Sequence, residues 1–225
     1  MYTNPAEKPK PAGRITQAHL QKLYREKEKI TMVACYDATA AAVVEAAGVE
    51  ILLVGDSLGM LVQGAESTLS VSIDDAVYHT RCVAKGASRA VVLGDMPFGS
   101  YQGSPQQAFE NAARMMAAGA HMIKLEGGAL MAETVAFLSA RGIPICGHIG
   151  LTPQSVNALG GYKVQGKTDD AAQRVIADAK ALEAAGAVMI VLEAIPTALG
   201  TAVTEALSIP TIGIGAGPQC SGQIL

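Results

Sequence analysis

The feature that most constrains this chain is an alternation. Short runs of β-branched and aliphatic residues recur between Ala-rich stretches: ITMVACY at 30–36, EILLVG at 50–55, AVVLGD at 90–95, HMIKLEG at 121–127, IPICGH at 143–148, VMIVLE at 188–193 and IPTIGIG at 209–215. The runs stay apolar instead of alternating with polar residues. That is the pattern of strands covered on both faces, and the stretches between them supply the covering helices. A parallel β/α architecture follows.

Local signals agree. Ser104-Pro105-Gln106-Gln107 sets a capping Ser before a Pro at the first helical position, and Ser72 with Asp75 has capping-box spacing. EAAGVEILLV, MAAGAHMIKL and EAAGAVMIVL each place a glycine, Gly48, Gly119 and Gly186, where a helix ends just before a strand. Their near-equal spacing, and the recurrence of Ile143-Pro144 as Ile209-Pro210, favour a (β/α)8 TIM barrel over a doubly wound sheet, and no GxGxxG follows the first strand. Such a barrel needs eight strands, yet only seven runs precede Leu225, so the eighth β/α unit is expected to be missing. Residues 15–225 are then one barrel domain, incomplete at its C-terminal end. Residues 1–14, polar and with three prolines, are expected to form a mobile N-terminal arm, and TQAHLQKLYREKEK at 16–29 a surface helix.

Composition narrows the partners. Half of the 225 residues are hydrophobic and 16 % are charged, which excludes wholesale disorder. A net charge of -3 offers no grip on a nucleic-acid backbone. Cys35, Cys82, Cys146 and Cys220 stand singly, so no disulfide framework or structural zinc site is expected. The amino terminus is polar, and no apolar run reaches the roughly 18 residues of a membrane span, so no membrane partner and a cytoplasmic location are expected.

In a barrel of this kind the carboxyl ends of the strands face the active site. Those ends read Gly55-Asp56-Ser57, Gly94-Asp95, Lys124-Leu125-Glu126, Gly147-His148 and Leu192-Glu193. Asp56, Asp95 and Glu126 would converge at the rim and repel one another unless a cation compensates, and an all-oxygen set suits Mg²⁺ better than zinc. Acids at strand ends also cap helices, which is the plainer account of any single one. Lys124 lies two residues from Glu126 and points the same way. It can bind an anionic substrate group, form a Schiff base or pair with a carboxylate, and chemistry alone leaves the three open. His148 is a neighbour of this site or a hydrogen-bonded structural residue. Glu193 ends a greasy strand, where desolvation favours a useful base. GIGAG at 213–217 allows close approach of a ligand to the backbone, or is a plain tight loop. Tyr162 and Lys163 in GGYKVQG sit in a glycine-hinged stretch that reads as a lid.

The strings VGDSLGM (54–60), VQGAESTL (62–69), GDMPF (94–98), QAFENAARMMAAGAHMIKLEGG (107–128), GHIGLTPQSVNALGGYKVQG (147–166), VLEAIP (191–196) and IGIGAG (212–217) together resemble the 3-methyl-2-oxobutanoate (ketopantoate) hydroxymethyltransferases, from about Thr16 to Leu225. The resemblance implies a barrel of the phosphoenolpyruvate/pyruvate type. It also implies transfer of a one-carbon unit from 5,10-methylenetetrahydrofolate, as co-substrate, to 3-methyl-2-oxobutanoate, giving 2-dehydropantoate for pantothenate synthesis. It implies that Asp56 and Asp95 bind Mg²⁺, with Glu126 as the third carboxylate at the metal, directly or through water. It implies further that Asp56, Ser57, Asp95 and Lys124 contact the oxo acid and that Glu193 is the proton acceptor. A homo-oligomer, commonly a homodecamer, is implied as well. The family continues past GQIL through an eighth strand and terminal helices, which sharpens the expectation of an open barrel.

Overall fold

The structure, a computed structural model, describes residues 13–225. The expected mobile arm thus falls outside the described residues, save for Gly13 and Arg14. The Arg14 guanidinium donates to the carbonyls of Ala87 and Ala90 and lies 3.1 Å from Nε2 of His121.

Eight parallel strands close into a barrel in sequence order: β1 (Ile30–Ala34), β2 (Ile51–Val54), β3 (Val91–Asp95), β4 (Met122–Glu126), β5 (Ile145–Gly150), β6 (Met189–Glu193), β7 (Thr211–Ile214) and β8 (Gly222–Ile224). Each of the seven apolar runs marks one strand, β5 extending two residues past its run to Gly150. The expectation of a missing eighth strand is corrected. Gly222-Gln223-Ile224 pairs with β1 (Ile30↔Gly222, Met32↔Ile224) and with β7 (Ile212↔Gly222), sealing the ring. A Gly, a Gln and one Ile make no apolar run, so nothing in composition marks this strand. A side chain at Gly222 would put its Cβ 2.3 Å from the Ile30 carbonyl oxygen, so the seam needs a glycine.

Helices α1 (Gln17–Arg25), α2 (Ala38–Ala46), α3 (Leu58–Leu61), α4 (Ile73–Gly86), α5 (Pro105–Ala118), α6 (Ala132–Ser139), α7 (Val156–Leu159), α8 (Asp169–Ala184) and α9 (Thr197–Ala206) accompany the strands. The sequence signals act as read. Ser72 and Asp75 form a reciprocal capping box on α4, the Ser104 hydroxyl caps α5, and Gly48, Gly119 and Gly186 adopt positive φ after α2, α5 and α8.

Both strand faces are buried, which explains the unbroken apolar runs. Ile123, Leu125, Ile145, Ile149, Ile190 and Leu192 face the helices, while Met32, Ile51, Leu53, Val91, Leu93, Met122, Cys146, Met189, Val191 and Ile212 fill the barrel. Helix α1 does more than the surface role expected of it: Leu20 and Leu23, with Ile15 before them, join that inner plug and close the amino-terminal end. Between α2 and β3 the Glu45 carboxylate accepts from the amides of Ser88, Arg89 and Ala90 and from the Ser88 hydroxyl, at 2.5–3.0 Å. These bonds outweigh the cost of burial and hold its pKa down at about 2.

Candidate active site

The inner face of each strand is a period-two series, and near the carboxyl end its chemistry changes. Val91 and Leu93 are followed on the same face by Asp95, Met122 by Lys124 and Glu126, Cys146 by His148, and Met189 and Val191 by Glu193. Asp56 comes from the turn after β2, with Ser57 next to it. The register Asp95↔Lys124 and Glu126↔His148 sets these side chains shoulder to shoulder. They line a cavity of about 450 Å³ at the barrel mouth. Asp56, Asp95, Lys124, Glu126 and His148 are all buried, whereas the Glu193 side chain keeps 21 % of its surface accessible.

The contacts form one network. Lys124 Nζ donates to Asp95 Oδ1 at 2.7 Å and lies 3.9 Å from Glu126 Oε1. The Asp56 amide donates to Asp95 Oδ2 at 3.2 Å. His148 stands between two carboxylates, with Nδ1 3.3 Å from Glu126 Oε1 and Nε2 3.1 Å from Glu193 Oε2. The Ser57 and Tyr36 hydroxyls are 2.8 Å apart.

Burial and mutual repulsion govern the ionisation here. Burial, then Asp95, pushes Asp56 up to about 7, and burial raises Asp95 against the pull of Lys124. Burial works against the Lys124 charge, but Asp95, Glu126 and Asp56 outweigh it and hold the ammonium well above its ordinary range. A lysine so held is a fixed charge and a poor nucleophile. Burial and Lys124 would pull His148 down, yet Glu126 and Glu193 push it up to about 9. Glu126, although buried, is held below the usual carboxylate range by His148, Lys124 and the Gln154 amide.

Among the described residues no three His, Cys, Asp or Glu side chains gather closely enough to hold a metal ion by themselves. The donor set nevertheless fits Mg²⁺, which binds through one or two carboxylates and completes its octahedron with waters and substrate oxygens. Two neighbouring aspartates whose charges repel supply those carboxylates. The buried Glu126 Oε1 makes no hydrogen bond among the described residues, its contacts to His148 and Lys124 being ionic only.

The structure thus brings Asp56, Ser57, Asp95, Lys124, Glu126, His148 and Glu193 to one cavity. Tyr162 also lines it, its hydroxyl 3.8 Å from Met60 Sδ, whereas Lys163 and the glycines of GIGAG do not. Sequence reasoning missed two members. Tyr36 reaches Ser57, and Gln154 reaches Asp56. Gln154 lies in the quoted string GHIGLTPQSVN, the only signal that could have raised it. Backbone strain marks one further place: Ala194, directly after Glu193, has φ 46, and its amide and carbonyl are tied to Ile214 and Gln165.

A closed parallel barrel with ionisable side chains gathered at its carboxyl mouth defines the class of (β/α)8-barrel proteins, in which that end carries the chemistry. The sequence profile of the ketopantoate hydroxymethyltransferases matches residues 14–225, and the chain belongs to that family. The 3-methyl-2-oxobutanoate hydroxymethyltransferase of Thiobacillus denitrificans is 62 % identical over 211 residues, covering 94 % of this chain and 80 % of the relative. That of Nitrosospira multiformis is 62 % identical over 212 residues, covering 94 % and 81 %. Among solved structures, phosphonopyruvate hydrolase in complex with oxalate and Mg²⁺ superposes with a TM-score of 0.71 at 16 % identity, over 93 % of this chain and 80 % of that one. A 2,3-dimethylmalate lyase, a PEP mutase/isocitrate lyase superfamily member, gives 0.66 at 16 % identity, over 93 % and 80 %. Both likenesses are of fold. No helix among the described residues is long and apolar enough to cross a membrane.

Proposed function

We propose that this chain transfers a hydroxymethyl group from 5,10-methylenetetrahydrofolate to 3-methyl-2-oxobutanoate, giving 2-dehydropantoate in pantothenate biosynthesis. The observation that carries the reading is 62 % identity to hydroxymethyltransferases of that name over 94 % of the chain. The chemistry of the mouth supports it.

Asp56 and Asp95 would hold Mg²⁺, with Glu126 as the third carboxylate, directly or through water. The chemistry a bound Mg²⁺ supplies is stabilisation of the negative charge that develops on the keto oxygen as the C3 proton leaves. Lys124, kept charged by three carboxylates, offers a fixed cation to the oxo acid's carboxylate, and the Ser57 hydroxyl offers a hydrogen bond. Glu193 takes the C3 proton on its carboxylate. It is the least buried acid of the set, and His148 at 3.1 Å holds it in place. Water adds to the methylene carbon of the folate in its iminium form, the C–N bond breaks with a proton passing to nitrogen to release tetrahydrofolate and formaldehyde, and the C3 carbanion equivalent forms its new bond to the formaldehyde carbon, whose oxygen takes a proton to become the hydroxyl. No Schiff base on Lys124 is needed. A homo-oligomer, commonly a homodecamer in the family, and a cytoplasmic location belong to the same proposal.

The test follows the C3 proton of 3-methyl-2-oxobutanoate by NMR in D₂O, with and without Mg²⁺ and without folate. Exchange that depends on Mg²⁺ is the expected result. Absence of exchange, with the oxo acid still bound, would overturn the assigned chemistry. Sedimentation of the same sample reads the assembly.

A further inference from the structure

Gln154 follows β5 in a short turn (Pro153–Ser155), and its residue surface is 4 % exposed. Nε2 donates to Asp56 Oδ2 at 2.9 Å and to the Met96 carbonyl at 2.9 Å. Oε1 accepts from the Tyr101 hydroxyl at 2.7 Å and from Gln102 Nε2 at 3.2 Å. The backbone amide of Gln154 donates to Glu126 Oε2 at 3.0 Å. One residue therefore bonds both Asp56, beyond β2, and Glu126, at the end of β4.

The direction of these bonds is fixed. The Tyr101 hydroxyl accepts from the Glu126 amide at 3.1 Å, and of the two acceptors within reach of its single proton Gln154 Oε1 at 2.7 Å is nearer than the Glu126 carbonyl at 3.2 Å. Turning the amide over would set its oxygen against the Asp56 carboxylate and the Met96 carbonyl, and its NH₂ against that of Gln102. Both donors and the acceptor are thus committed, and each bond polarises the next. A primary amide of this length satisfies all four partners. A carboxylate would lose both donors while facing another carboxylate.

We infer that Gln154 is a positioning residue for the metal-binding carboxylates: it fixes the rotation of the Asp56 carboxylate and ties it to Glu126 across the mouth, setting the affinity of the site for Mg²⁺. The inference rests on the proposed function. Groups that orient metal ligands from behind typically matter by tenfold or more in metal affinity.

The experiment measures Mg²⁺ binding by calorimetry in the presence of 3-methyl-2-oxobutanoate, together with C3 exchange against Mg²⁺ concentration, for wild type, Q154A, Q154E and Q102A. Q154A should raise the Mg²⁺ dissociation constant about tenfold, and Q154E, which is isosteric but without donors, by more. Exchange at saturating Mg²⁺ should change far less. Q102A, which leaves the link to Asp56 intact, should bind Mg²⁺ like wild type. Thermal midpoints identify any variant that does not fold. Should both Gln154 variants fail in that way, Y101F, which removes the hydrogen bond from the Tyr101 hydroxyl to Gln154 Oε1, should weaken Mg²⁺ in the same direction by a smaller factor. Unchanged Mg²⁺ affinity in a folded Gln154 variant, or in Y101F where that variant decides, overturns the inference. So does a lower exchange rate at saturating metal with unchanged affinity, the mark of a purely structural residue. Wild type that binds Mg²⁺ without exchanging the C3 proton would sink the proposed function and leave this inference to be judged by calorimetry.

Discussion

The two ends of the barrel interior are built on the same strands and obey opposite rules. Toward the amino-terminal end Met32, Ile51, Val91, Met122, Cys146 and Met189 interlock with Leu20 and Leu23 of α1, and any one of them stabilises the fold on its own account. Two or four residues along the same inner faces stand Asp95, Lys124, Glu126, His148 and Glu193, none of which is stabilising alone. Each charge at the mouth is tolerable because the next one faces it. The plug carries stability and the mouth carries chemistry, and the boundary between them is a single step in the strand period.

Four variants break or sharpen that contrast. The largest effect is expected from E193Q, which should slow C3 exchange by about a hundredfold or more while leaving the thermal midpoint close to wild type. Normal exchange in that variant, read by NMR in D₂O, would remove Glu193 as the base. K124A leaves Asp95 buried without its partner and should cost about 3 to 5 kcal/mol in urea unfolding. Replacing both, as K124M with D95L, should recover most of that loss while abolishing Mg²⁺-dependent exchange. I51A, in the plug, should cost about 2 to 5 kcal/mol through its cavity. Its folded fraction should exchange the C3 proton as wild type does, and a change there would erase the division of labour.

The smallest effect lies outside both regions. E45Q should cost about 2 kcal/mol at neutral pH by weakening the charged hydrogen bonds to residues 88–90. The folded pKa of Glu45, about 2, lies below its ordinary value of 4.5, so its contribution is complete above about pH 4.5 and lost as the pH falls toward 2. Wild type should therefore lose stability across that window and E45Q lose less, as followed by circular dichroism.

Legibility in the sequence followed the range of the interactions. Strands buried on both faces write themselves as apolar runs, and seven were readable from that alone. The acids were readable because a strand end in a barrel is a known place, so Asp95, Glu126 and Glu193 needed no partner to be noticed. The strand β8 was not readable, because its three residues are held by neighbours on both edges and by a backbone approach only Gly222 allows. Gln154 was invisible for a related reason. Its partners at 56, 96, 101 and 126 lie far away in sequence, and an isolated Gln carries no periodicity.

The closing pairs have a consequence in time. Ile30 meets Gly222, so the first strand made must wait for the last. At roughly 5 to 20 residues per second, ribosomal synthesis separates the two by on the order of 10 to 40 s. Throughout that interval one edge of β1 has no neighbour, and an unpaired parallel edge invites the wrong one. Birth, for this protein, is a race between its own β8 and any other strand that arrives first.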